Sequence, residues 1–243
     1  MSVLYRLVRA PLDDYMAALS ACLRRVNAVS VLTIVAAFAV SYWVYVPIHE
    51  LLHVAGCVLT GGEVTRLELS PTYGAAALQK LFPFIAVGSD YAGQLTGFDT
   101  HGNDPTYLAT DFAPFLLTIL VGIPLLRFVG TRSVRPMRAC AILGASLPVA
   151  FAPFISITGD YYEMGSIIVS RLVAWSVPNF PLARWRSDDL FKLGTTLFFS
   201  DAPFSTGDVA GVSASFVVGI VLIFATYWAG MEWARIIGVR RGR

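Results

Sequence analysis

Charged residues are scarce in this sequence. Lysine, arginine, aspartate and glutamate together make up 14% of the 243 residues, whereas hydrophobic residues make up 56%. A water-soluble globular domain usually has about 25% charged residues. The chain has too little polar surface to be solvated by water alone, so we expect an integral membrane protein that has the lipid bilayer as a partner. The formal net charge of +2 is too small to favour a nucleic-acid-binding protein.

Cysteine is also rare, since only Cys22, Cys57 and Cys140 are present and no two of them form a Cys-x-x-Cys pair. This spacing predicts neither a disulfide framework nor a thiolate metal site. Cys57 lies one helical turn after a histidine and is conceivable as a further metal ligand. The simpler interpretation is a small buried residue.

Four apolar runs are long enough to cross a bilayer, which takes about 20 helical residues. They are residues 29–48, 112–129, 137–157 and 209–233. A fifth segment, residues 160–177, contains Asp160, Glu163 and Arg171, and whether it spans the membrane is left open. The predicted fold is an all-α membrane protein, a polytopic helical bundle of four to six membrane segments. Its predicted parts are an amphipathic lead-in (1–25), which we do not interpret as a removed signal peptide, a metal-site membrane core (26–178), an extramembrane loop (179–208) and a C-terminal transmembrane helix with a basic tail (209–243).

The polar region between the first two spans predicts a small β element. Residues 64–69 largely alternate apolar and polar side chains, which is typical of a short strand. Residues 75–87 are apolar but interrupted by Pro83, and they predict a re-entrant or interfacial segment. Thr110 and Asp111 are interpreted as the helix cap of the second span, and Pro47 predicts a kink in the first span.

Twelve of the 18 basic residues are clustered before the first span, between the second and third spans, and in the tail. They are Arg6, Arg9, Arg24, Arg25, Arg127, Arg132, Arg135, Arg138, Arg235, Arg240, Arg241 and Arg243. Cytoplasmic loops are enriched in lysine and arginine. Four spans with all three clusters in the cytoplasm are self-consistent. We therefore expect a protein of the bacterial inner (cytoplasmic) membrane with both termini cytoplasmic.

The chain has only three histidines, and two of them belong to the motif His49-Glu50-Leu51-Leu52-His53. On a helix this spacing places both imidazoles on one face, one turn apart, where they can bind one Zn²⁺. Glu50 can then reach a water activated by the metal, take its proton as general base and pass it to a leaving amine. Aromatic residues near helix ends, Tyr45 among them, are interpreted as membrane-interface anchors.

A catalytic zinc site needs a third protein ligand and an open position for water. Asp160 is favoured, because it lies just past the outer end of the third span at the same depth as the histidines. It is also explained as a helix cap. The alternatives are His101, Asp111 and Glu163.

Three stretches resemble the site-2-protease-type intramembrane zinc metalloproteases and their small bacterial zincin-like relatives. They are Pro47 to Gly56 followed by Gly61-Gly62 and a strand, Ala113 to Leu117, and Ser156 to Asp160. The resemblance covers roughly residues 30–175. It implies that His49, His53 and Asp160 bind Zn²⁺ and that Glu50 is the catalytic base. The family's usual Asp-Gly order is here Gly159-Asp160.

The sequence thus predicts a zinc metallopeptidase that hydrolyses peptide bonds of membrane or membrane-proximal substrates. Such a substrate must be locally unwound, and residues 64–69 could offer a strand edge for it. The alternative is a non-proteolytic zincin-like membrane subunit with a structural or partner-binding metal site, against which the intact Glu50 argues. A transporter-like bundle is a weaker hypothesis, because it predicts further ionisable residues inside the spans.

Overall fold

The computed structural model describes residues 3–23, 27–130, 134–199 and 204–239, and it is mostly helical. Arg24, Arg25, Arg132 and the tail residues 240–243, which entered the charge argument, lie outside the described residues. The longer helices are α1 (Val3–Cys22), α2 (Ala28–Leu59), α4 (Asp104–Phe112), α6 (Ile123–Val129), α7 (Pro136–Ala150), α9 (Asp160–Ser176), α10 (Leu190–Phe198) and α11 (Thr206–Ile236). Short helices are α3 (Ala75–Gln79), α5 (Phe115–Leu117) and α8 (Ala152–Ile155), and the strands are β1 (Glu63–Leu69), β2 (Ile85–Val87) and β3 (Gly93–Asp99).

Helix α2 is continuous over 32 residues and contains Pro47. Its amino end is capped by Asn27, whose side chain accepts a hydrogen bond from the Ser30 amide. Along the first half, apolar side chains such as Val31, Leu32 and Val35 are exposed. From Tyr45 onward the buried residues of the helix accumulate. One helix therefore carries an exposed apolar half and a half enclosed by the protein.

Two helices of the described chain, α2 and α11, are long and apolar enough to cross a membrane. Two further pairs qualify only if each bent pair counts as one span. The first pair joins α4 to the segment Phe115–Val129 with a bend of 51°, and the second joins α7 to Ala152–Thr158 with a bend of 46°. Helix α9 is not among them. By length and composition, residues 160–177 therefore do not qualify as a membrane span.

The predicted cap of the second span is wrong. Helix α4 begins at Asp104, with Asn103 before it and Pro105 in its first turn. Proline is favoured in this position because its missing amide would have no partner there. Thr110 and Asp111 consequently lie inside a helix, where both side chains are buried.

The predicted third span is broken at Phe151, between α7 and α8. Pro153 lies two residues further on, and it cannot donate the amide hydrogen bond that would continue α7. The predicted last span lies within α11. This helix starts with a capping box in which Ser205 and Asp208 bond to each other's backbone amides.

The predicted strand at 64–69 is confirmed as β1, the central strand of a three-stranded sheet of order β2-β1-β3. Strand β1 pairs parallel to β2 and antiparallel to β3. Residues 75–87, for which a re-entrant or interfacial segment is predicted, contain α3 and β2, and their place relative to a membrane stays a prediction. Leu67, Leu69 and Ile85 pack with Val46 of α2. This contact seats the sheet on the half of α2 that carries the histidine motif.

Two apolar cores hold the helices together. One joins α1, α6, α7 and α11 through residues such as Cys22, Leu126 and Tyr227. The other surrounds the motif and contains Tyr45, Phe115, Ala152, Tyr161, Met164 and Ile223. The second core fixes the start of α9 against α2, which is the contact that builds the site.

Candidate metal centre

The two motif histidines face each other on α2. Four residues of separation bring side chains to the same helix face, and Nε2 of His49 lies 3.2 Å from Nε2 of His53. His53 is buried, and His49 is partly buried. Two imidazole nitrogens that converge at this distance are a typical half of a zinc site.

Asp160 completes the group from a helix more than a hundred residues along the chain. It is the first residue of α9, after the 3₁₀ turn Ser156–Thr158 and Gly159. Its Oδ2 lies 3.6 Å from His49 Nε2, and its Oδ1 lies 3.7 Å from His53 Nε2. One donor atom from each of the three side chains lies within 4.8 Å of the others. His49, His53 and Asp160 can therefore hold a metal ion.

Hydrogen bonds to the far side of each ligand fix its orientation. Nδ1 of His53 lies 2.8 Å from the carbonyl oxygen of Thr110, which can only accept. That bond places the proton on Nδ1 and leaves Nε2 free to bind a metal. The hydroxyl of Tyr45 lies 2.7 Å from His49 Nδ1, and the Ser156 hydroxyl donates to Asp160 Oδ2 at 2.7 Å.

These supporting residues were missed at the level of sequence. Tyr45 was interpreted as an interface anchor, yet it lies four residues before His49, as Ser156 lies four residues before Asp160. That spacing is the local signal that could have identified both. The Thr110 carbonyl carried no such signal, because only the packing of α4 on α2 brings it to His53.

Asp160 is ionised at neutral pH. Burial would raise the pKa of its carboxyl, but the neighbouring His53 and His49 and the Ser156 hydroxyl outweigh burial and lower this pKa to about 2. Two imidazoles with one carboxylate suit Zn²⁺ and leave a position open for water. The residues present therefore fit the zinc ion that the motif implies.

Glu50 lies on the cavity side of the same helix and is buried. Its carboxylate is close enough to His53 and Asp160 to interact with both electrostatically. Gly93, the first residue of β3, packs directly on it. A Cβ built on Gly93 would lie 2.5 Å from Glu50 Cγ and 2.8 Å from Cδ. The absence of a side chain at Gly93 is thus what leaves room for Glu50.

A cavity of about 920 Å³ opens onto the group. Its walls include the metal-binding group, Glu50, residues 91–96 at the start of β3 and residues 186–189 before α10. Gln94 donates to Asp188 at 2.5 Å, and Tyr91 donates to Asp189 at 2.7 Å. The segment before α10 is therefore bonded across the cavity to the sheet. The space is large enough for several residues of an extended peptide.

The other third-ligand candidates do not join the group. His101 is exposed on a turn, where its ring lies 3.4 Å from Asp99 and 3.9 Å from Glu63. Asp111 and Glu163 line the cavity, but their atoms are not within the metal-binding group. Cys57 is fully buried and donates weakly to the Glu63 carbonyl, as the simpler interpretation expected.

Beside the group lies a second set of acidic side chains. Glu163 is buried and accepts a hydrogen bond from the Tyr107 hydroxyl. Burial, with Asp188 and Asp160 nearby, raises the pKa of Glu163 to about 8. Asp111 is buried next to it, and within the described chain its Oδ2 has no hydrogen-bond partner.

Comparison with known proteins does not assign a family. No protein-family model matches the chain, and no curated protein or solved structure matches it either. The functional conclusion therefore rests on the motif and on the geometry around it.

Proposed function

We propose that this protein is an integral membrane zinc metallopeptidase that hydrolyses peptide bonds of membrane or membrane-proximal substrates, of the kind found in the site-2-protease type. One observation carries the proposal. Asp160, distant in sequence, converges on His49 and His53 at 3.6 and 3.7 Å, and Glu50 lines the same cavity. A purely structural metal site has no need of an acid beside its first ligand.

His49, His53 and Asp160 would hold the zinc ion, which supplies Lewis-acid activation of water and of the scissile carbonyl. Glu50 accepts the proton of the attacking water and returns it to the leaving amine. Tyr45 and the Thr110 carbonyl keep the imidazoles oriented throughout. The buried setting of Glu50 keeps bulk water away from the proton transfer.

The substrate would bind as an extended strand on β3. The sequence prediction assigns that edge to residues 64–69, but β1 is the central strand, and β2 covers its second edge over Leu67–Leu69. Strand β3 is at the sheet edge within the described residues, and consecutive residues 93–96 line the cavity. A peptide added there would satisfy backbone hydrogen bonds that an unwound segment loses in lipid. A peptide bound there would lie beside Glu50, because Gly93 packs against that side chain.

In the membrane, we propose four spans: α2, the bent unit of α4 to α6, the bent unit of α7 to Thr158, and α11. The packing of α1 on α6, α7 and α11 supports placing the basic clusters on the same side of the membrane. The buried Asp14 of α1 accepts from the Tyr227 hydroxyl and lies 3.6 Å from Arg127 Nε. His49 lies about 30 Å along α2 from the amino end of that helix. This arrangement supports cytoplasmic termini in a bacterial inner membrane and a metal centre toward the opposite face.

The test compares bound zinc and peptide cleavage in the purified wild type and in single variants. Cleavage is followed by mass spectrometry on an unbiased peptide library. Glu50→Ala should keep zinc and lose cleavage, whereas His53→Ala and Asp160→Ala should lose both. His101→Ala is the matched control, since His101 is exposed and outside the group, and it should keep both.

Four outcomes would overturn parts of the proposal. Loss of zinc in His101→Ala with full zinc in Asp160→Ala would show that the third ligand is wrong. Absence of bound zinc in the wild type would remove the metal centre altogether. Cleavage unchanged in Glu50→Ala would exclude the mechanism, and zinc without any cleavage would favour the non-proteolytic membrane subunit.

A further inference from the structure

Asp111 is a buried acid with an unpartnered carboxyl oxygen among the described residues. Its side chain lines the cavity on α4 and is 4% exposed, and its Oδ2 has no hydrogen-bond partner among the residues described. Burying an ionised carboxylate without a partner is costly, because it loses its hydration and gains nothing in exchange. Buried acids of this kind either hold a proton or wait for a cation.

Glu163 faces the same space from α9 and is also buried. It receives one hydrogen bond, from the Tyr107 hydroxyl. The cationic side chain of Arg186 acts on Glu163 electrostatically but forms its hydrogen bonds elsewhere. Its NH1 and NH2 bond Asp104 at 2.8 and 3.0 Å, and its Nε bonds the Ser170 hydroxyl at 3.0 Å. Three of its five N–H donors are thereby engaged, and its hydrogen bonds among the described residues go to Asp104 and Ser170 rather than to Asp111 or Glu163.

Both acids lie close along the chain to residues of the metal centre or to residues that support it. Asp111 follows Thr110, whose carbonyl bonds His53. Glu163 lies three residues after Asp160 on α9, a spacing that puts neighbouring Cβ atoms about 5–6 Å apart. A group bound between Asp111 and Glu163 would be attached to a residue at, or next to, the bond being cut.

The charges indicate what that group is. A zinc ion is balanced by the carboxylates of Asp160 and Glu50, so Asp111 and Glu163 are two further buried acids, which hold their protons until a cation binds between them. They do not form a second metal-binding group with other described residues. We propose that Asp111 and Glu163 form a cation-binding subsite that selects substrates with a positively charged nitrogen beside the scissile bond.

This subsite rests on the proposed peptidase function and specifies its substrate class. The charged nitrogen can be the ammonium of a lysine side chain or the free α-amino group of a peptide's first residue. Both present the same chemistry to two carboxylates and a phenol. They imply different enzymes, an endopeptidase selective for basic residues or an aminopeptidase, so the test must separate them.

Three small hydroxamates separate the sources, because they share one metal-binding group and differ only in charge. Nα-acetyl-norleucine hydroxamate has no cation, Nα-acetyl-lysine hydroxamate has a side-chain ammonium, and norleucine hydroxamate has an α-ammonium. Their Kd values are measured by calorimetry on the zinc-loaded protein. Wild type should bind one cationic probe about tenfold to a hundredfold more tightly than the neutral probe, the range for a hydrogen-bonded charge.

The isosteric variants Asp111→Asn and Glu163→Gln should each lose most of that preference while they retain zinc and bind the neutral probe as wild type does. Asp90→Asn is the matched control, because Asp90 is an exposed acid that does not line the cavity. It should keep the full preference. Which cationic probe is preferred decides between the lysine side chain and the terminal amine.

Equal binding of all three probes by wild type would overturn the subsite and leave the peptidase proposal standing. The same holds if the preference survives in both Asp111→Asn and Glu163→Gln, because the two acids would then simply share a proton. Failure of every hydroxamate to bind the zinc-loaded protein would overturn both proposals, since no open metal position would exist.

Discussion

The contact between Gly93 and Glu50 allows a prediction whose size follows from the structure. The methyl group of Gly93→Ala would lie 2.5 Å from Glu50 Cγ, whereas ordinary contact begins near 3.4 Å. Gly93 has no positive φ that would itself disfavour alanine. Strand β3 is held to β1, so the carboxylate side chain must retreat by about 0.9 Å. Misplacing a catalytic group by about 1 Å costs about a hundredfold in rate.

The assay is peptide cleavage per zinc-loaded molecule, because Gly93→Ala leaves His49, His53 and Asp160 untouched. We expect kcat to fall about a hundredfold with zinc content unchanged. Gly97→Ala is the matched control on the same strand. Its methyl group would also clash, at 2.6 Å from Thr65 Oγ1 and 2.7 Å from Arg66 Cβ, but not with Glu50.

Two results would refute this reasoning. If Gly93→Ala cleaves peptides at the wild-type rate with full zinc, Glu50 is not confined by β3. If Gly97→Ala loses as much activity per bound zinc as Gly93→Ala does, the defect comes from the sheet in general and not from displacement of the base.

Three further predictions concern affinity, packing and pH. Tyr45→Phe removes the hydrogen bond to His49 Nδ1 and should weaken zinc binding about tenfold in competition with a chelator; unchanged affinity would contradict a supporting role. Gly144→Ala would place its methyl group 2.2 Å from a backbone carbonyl of α2, so thermal unfolding should show a loss of about 1–3 kcal/mol, whereas Gly194→Ala, with open space around it, should show none. Burial raises the pKa of Glu163 from 4.5 to about 8, so its contribution to stability is complete below about 4.5 and is lost as the pH rises through about 8. Across this pH window the melting temperature of Glu163→Gln should therefore rise relative to that of wild type. A difference between the two melting temperatures that does not change with pH would contradict the raised pKa.

The local parts of the site could be predicted from the sequence. The spacing of His49 and His53 fixes their shared helix face. Asp160 was predicted to approach them because its position past the outer end of the third span matches their depth in the membrane. The strand after the motif was also recognised from its alternation. In each case the signal is periodicity, charge or distance along one element.

The non-local parts could not be predicted in this way. Asp111 carries the sequence signature of a helix cap, but α4 begins at Asp104, about two turns earlier, with Pro105 in its first turn, so Asp111 is a buried side chain inside the helix. Gly93 lies in a polar loop region, and only the antiparallel pairing of β3 with β1 brings it to Glu50. Register and helix bending decide these contacts, and neither can be read from residue pattern alone.

The continuity of α2 has a consequence for the physical state of the bilayer. One rod carries exposed apolar residues over its first half and both histidines beyond them. In a membrane of different hydrocarbon thickness such a rod would adjust by tilting, and His49 and His53 would tilt with it relative to Asp160, which belongs to another helix. Lipid chain length would then act on ligand geometry, so zinc affinity in vesicles of short and long acyl chains becomes a property of the membrane as much as of the protein.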